Sequence, residues 1–98
     1  MQKILKWLES QGIKYILSSN RSNKEECITI VLEKDCIWIN GFNKPMKYDK
    51  IITIHHNKYL GYGVYEQYEY SMTKTLVSCK KWEMVVDALK NRLNIENQ

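Results

Sequence analysis

Apolar and polar positions recur along this chain with two different periods, and the changes of period outline the fold. Near the start, Ile4, Trp7, Leu8 and Gln11 follow i, i+3, i+4 and i+7, with Leu5 beside them. That spacing predicts a helix over residues 2–11. Gly12 then supplies a residue that tolerates the left-handed conformation after a helix end. Near the other end, Trp82, Val85, Val86, Leu89 and Leu93 form one stripe, which predicts a helix over 79–93. Ser78 stands as its N-cap, with Val77 and Trp82 at the positions of a hydrophobic staple. The tail from Asn94 is expected to fray.

Between the helices the period falls to two. Residues 27–32 (CITIVL) and 36–39 (CIWI) read as strands joined by a tight turn at 33–35. With Lys34 and Asp35 as a two-residue turn, Ile30 faces Ile39 and Leu32 faces Ile37. Val31 and Trp38 then share the opposite face. Residues 13–17 are β-compatible, 50–56 form a strand, and 73–77 form the last one. Residues 18–26 contain no apolar side chain and predict a loop able to carry contacts. Residues 40–45 (NGFNKP) form a turn-rich connection holding the only proline. The order is helix, strands, helix, with short connections throughout. It predicts a single α+β domain: an antiparallel sheet of five to six strands with an N-terminal and a C-terminal helix packed on one face.

Residues 59–70, YLGYGVYEQYEY, hold five of the seven tyrosines. Gly61, Gly63 and Val64 disfavour a helix here, and Tyr and Val favour a strand. Strand alternation then divides the tyrosines between two faces. A three-residue turn at 56–58 would pair Ile54 with Leu60 and Ile52 with Tyr62. Leu60, Tyr62 and Val64 would then face the core, with Tyr68 and Tyr70 on the same side. The outer face would gather Trp38, Tyr59 and Tyr65 beside Gly61 and Gly63. Tyr and Trp are common anchors of protein interfaces, and a strand glycine can mark close approach of a ligand or make room for a neighbouring ring.

Composition narrows the function without naming it. Fifteen basic residues against eleven acidic give a net charge of +4, and 44% of residues are hydrophobic. Thirteen of the basic residues are lysines, whereas specific phosphate and base recognition leans on the arginine fork. The wealth of Lys, Asn, Ile and Tyr is that of AT-rich coding, as in a low-GC bacterium or its phages. Three cysteines, Cys27, Cys36 and Cys79, with no C-x-x-C, fit a reducing compartment better than a disulfide scaffold. No stretch reaches the ~18 apolar residues of a membrane span, and the first residues lack the pattern of a signal peptide. A cytoplasmic location is expected.

Candidate chemistry is sparse. His55 and His56 are adjacent, so a strand points them to opposite faces and they do not chelate one metal. Cys79 at a helix start, with a histidine as base, is the one outline of a nucleophilic site. Glu66 and Glu69 read as exposed charges. There is no P-loop and no G-x-G-x-x-G, and no cofactor is expected. Lys80 and Lys81 fall in the predicted first turn of the last helix, where the macrodipole disfavours cations. They would suit a phosphate or an acidic partner.

The expected function is therefore that of a small non-enzymatic protein acting by protein–protein contact through Trp38, Tyr59, Gly61, Gly63 and Tyr65. A phage- or mobile-element-encoded inhibitor of a host defence system, such as a CRISPR effector, fits the size and composition. The alternative is a nucleic-acid-binding module using the aromatic face with Lys44, Lys47, Lys50, Lys80 and Lys81. A third is a small enzyme built on Cys79 or His55. A homodimer through two sheet faces or two edge strands is compatible with each.

Overall fold

A computed structural model describes residues 1–20, 25–69 and 72–95. The elements run α1 (Gln2–Ser10), β1 (Ile16–Asn20), β2 (Glu25–Ile39), β3 (Pro45–Asn57), β4 (Gly61–Glu69), β5 (Met72–Cys79) and α2 (Trp82–Leu93). The strands form one antiparallel sheet in the order β1-β2-β3-β4-β5, so every strand pairs with its neighbour in sequence. The fold is α+β with an N-terminal and a C-terminal helix, as the periodicity predicts.

Alternation in the strands decides which sheet face is buried. Ile28 and Ile30 of β2, Ile52 and Ile54 of β3 and Val64 of β4 point to one side and are fully or almost fully buried. Ile4 and Leu8 of α1 and Val85 and Leu89 of α2 close the same cluster from above. Burying a side chain of this size contributes roughly 1.5–3 kcal/mol. Among the described residues no helix lies on the other face, and none is long and apolar enough to cross a membrane.

Several elements depart from the sequence expectation. The two strands expected at 27–32 and 36–39 are one strand, β2. Lys34 and Asp35 do not reverse the chain: Asp35 takes a left-handed φ of 57° inside irregularities between Val31, Glu33 and Cys36. Its N–H is bonded 3.1 Å from the Asp49 carboxylate on β3. Residues suited to a turn also suit a β-bulge, which bends and twists the strand without ending it. The expected Ile30–Ile39 and Leu32–Ile37 pairs therefore do not form. Ile30 faces Ile52, and Ile39 faces Pro45.

The true reversal is at 40–44. Asn40 Oδ1 accepts the N–H groups of Phe42 and Lys44 at 2.9 and 3.0 Å, and Asn43 adopts a left-handed φ of 58°. The next turn is built alike. Asn57 Oδ1 accepts from Tyr59 and Leu60 at 2.8 and 3.1 Å, so the turn falls at 58–60 and not at 56–58. Ile54 consequently pairs with Val64, and Ile52 with Glu66. The even-numbered residues stay on the core face, but Leu60, expected in the core, is 77% exposed at the turn.

Residues 18–20 and 25–26, expected in a loop, belong to β1 and β2; the middle of that segment, Tyr70 and the last three residues lie outside the described part. The final helix begins later than expected. Ser78 and Cys79 still belong to β5, and Lys81 is the N-cap, without a side-chain hydrogen bond. Gly12 takes its left-handed conformation at φ 69°.

Candidate functional site

The long β2 and β3 outrun their neighbours. β1 covers only Glu25–Thr29 of β2, and β4 covers only Ile51–Asn57 of β3. Residues 33–50 therefore project as a two-stranded arm with its turn at the tip. The Lys50 ammonium and Glu33 carboxylate meet at its base, 3.5 Å apart, and this raises the Lys50 pKa. On the side of the sheet that carries the helices, Cys36 pairs with Tyr48 and Trp38 with Met46, all half-buried. On the opposite side Ile37 and Ile39 are each 65% exposed, and Phe42 at the tip is 86% exposed.

This geometry separates the expected aromatic patch. Trp38 lies opposite Met46, whereas Tyr65 lies opposite Thr53. The stagger along β3 is about 23 Å at a rise of ~3.3 Å per residue, and the two rings are on opposite sides of the sheet. Tyr59 is in the 58–60 turn, exposed, and not on the face. Tyr65 does stand on the open face with Gly61 and Gly63, and both glycines have local reasons. Gly61 has φ 90°, and a Cβ there would lie 2.5 Å from the Cys79 carbonyl oxygen. A Cβ on Gly63 would meet the Tyr65 ring, 2.6 Å from its hydroxyl. Tyr65 folds back over Gly63, as an aromatic ring commonly does beside a strand glycine.

The lysines divide as well. Lys44 and Lys47 lie on the arm with Lys50. Lys80 and Lys81 follow β5, whose last residue Cys79 pairs with Tyr62 at the far end of the sheet. Neither lysine is inside α2: Lys81 is its N-cap and Lys80 precedes it, so both flank the positive end of its dipole and do not occupy its first turn.

The two histidines face opposite sides, as adjacent strand residues must. His56 stacks on Tyr62, ring centroids 4.4 Å apart, with Cys79 beyond Tyr62 in the same row. Burial raises the Tyr62 pKa above its ordinary value, with Cys79, Glu26 and Glu83 adding to the effect. The Cys79 thiol donates to the Lys81 carbonyl at 3.4 Å. The structure therefore does not join Cys79 to a histidine. It joins another cysteine to one: Cys27 Sγ lies 4.0 Å from His55 Nε2 on the open face. Sequence reading missed this pair because it depends on the β2–β3 register, which the unrecognised bulge conceals. Among the described residues no cluster of three or more His, Cys, Asp or Glu could hold a metal ion.

Glu66, read as an exposed charge, is only 7% exposed. It sits on the core face opposite Ile52 and pairs with Arg92 of α2. No family model, no curated protein and no solved structure matches the chain.

Proposed function

We propose that the protein is a non-enzymatic binding protein that acts by protein–protein contact, with the β2–β3 arm as its contact element. The observation that carries this reading is the exposure of Ile37, Ile39 and Phe42 on a projecting hairpin that no other described element covers. Large apolar side chains exposed together on one projection suit the core of a protein interface. Trp38, half-buried on the other side of the same arm, backs this surface without being part of it, and Tyr59 and Tyr65 do not lie on the arm. The division of the lysines between two ends of the sheet supports a protein partner over a single-stranded nucleic acid, which needs one continuous basic track. An inhibitor of a host defence complex is the particular form favoured by the AT-rich composition.

The test is capture from a lysate of the cell of origin. Wild-type protein and the Ile37→Ser, Ile39→Ser, Phe42→Ser triple variant serve as baits, each with and without nuclease. The expected outcome is a protein retained by the wild type, indifferent to nuclease and lost from the variant. Equal retention by the variant would remove the arm from the contact. Retention abolished by nuclease would favour the nucleic-acid alternative, whose affinity also falls steeply with salt.

A further inference from the structure

Cross-strand pairing places Ser18, Cys27, His55, Gly63 and Ser78 in one row across all five strands of the open face. The centre of this row is a thiol beside an imidazole. Cys27 Sγ and His55 Nε2 are 4.0 Å apart, within the reach of a sulfur hydrogen bond, and both residues are half-buried. The imidazole is braced from its other side by the edge-on ring of Tyr65, centroids 5.7 Å apart. The missing side chain at Gly63 leaves the space that the Tyr65 ring occupies. Next to the histidine lies an open hollow of roughly 500 Å³, lined by Glu25, Asn57, Tyr65 and Ser78 among others.

The other two cysteines are held differently. The Cys36 thiol is directed at the Glu33 carbonyl, 3.9 Å away, and the Cys79 thiol at the Lys81 carbonyl, 3.4 Å away. A carbonyl oxygen can only accept from a thiol and offers no base to remove its proton. An imidazole nitrogen can take the proton away.

We propose that Cys27 is a nucleophilic thiol served by His55 as proton acceptor, and that it forms mixed disulfides with small disulfides that lie on the open face with one arm in the hollow beside His55. Cys27 Sγ attacks one sulfur of the incoming S–S bond as His55 Nε2 takes the thiol proton. The Cys27–S bond forms and the original S–S bond breaks. The leaving thiolate then recovers the proton from His55. One disulfide and one thiol go in and one disulfide and one thiol come out, so no further oxidant is needed. The polar rim of the hollow, with the Asn57 amide and the Ser78 and Tyr65 hydroxyls, suits a disulfide carrying polar arms. The product would carry a bulky group in the middle of the open sheet face.

The experiment is competitive labelling of the native protein with dithiobis(nitrobenzoate), quenched over time and mapped cysteine by cysteine by mass spectrometry. Cys27 is expected to react about tenfold or more faster than Cys36 and Cys79. His55→Gln should slow Cys27 by at least about tenfold while leaving the other two rates in place. That selectivity is something a merely structural role for His55 would not produce. Equal rates at the three cysteines of the wild type would overturn the proposal without any variant. So would an unchanged Cys27 rate in a folded His55→Gln protein. Labelling in urea, where the three thiols should react alike, ties the wild-type ranking to the fold.

Discussion

Single residues carry two kinds of commitment here, and both depend on partners far away in sequence. Glu66 interrupts the apolar face of β4 with a carboxylate, and Arg92 answers it from α2. Removing the arginine strands a buried charge. Arg92→Ala should cost about 2 kcal/mol, below the ~3–5 kcal/mol of a fully buried pair because Arg92 is itself partly exposed. Urea denaturation measures the loss, and replacing both residues by leucine should restore most of it. Tyr62 makes its commitment through a proton. Its pKa is raised, so above pH 10 the unfolded chain releases a proton that the folded chain still holds. Its contribution to stability is whole below that point and falls as pH rises through the raised value. The Lys50–Glu33 pair has the same sign. Tyr62→Phe should therefore flatten, without abolishing, the decline of unfolding free energy on the alkaline side.

At the scale of elements, legibility follows range. Helices and buried strand faces declare themselves in local periodicity, and Ile4, Leu8, Ile52, Ile54, Val85 and Leu89 are where their spacing places them. Tyr62 and Val64 kept their face although the β3–β4 turn moved, because the turn shifted by two residues and the strand period is two. Leu60 was misplaced because Asn57, and not His56, opens the turn. The arm was illegible because Lys34–Asp35 reads as a reversal, and only the hydrogen bond to Asp49 reveals a bulge. A reversal at Lys34–Asp35 puts Trp38 on the wrong side of the sheet and leaves His55 without its cysteine. The arm holds none of the buried core residues. Replacing residues 34–49 by Asn-Gly, a pair suited to a two-residue hairpin turn, should leave a cooperative thermal transition. Its midpoint should stay within about 5 °C of the wild type, the shift that roughly 1 kcal/mol makes in a domain this size.

The whole molecule is a thin slab, one sheet under one layer of helices, with extents of 43 × 37 × 19 Å. Its radius of gyration of 14.7 Å exceeds the roughly 13 Å of a compact chain of this length, and the projecting arm with the flat, one-sided sheet accounts for the difference. The order of strands in the sheet is also the order in the chain, which has a consequence in time. No strand must wait for a distant one, so the sheet can close by successive short loops, whose entropic cost is least. The Asn40-capped tip closes the longest hairpin with a local turn braced by its own side chain, and pairing begun there runs down the arm into the core. Asn40→Ala should then act on the folding rate, slowing refolding several-fold while the unfolding rate barely moves. On this account the segment that reaches furthest from the core when the protein is finished is where its assembly starts.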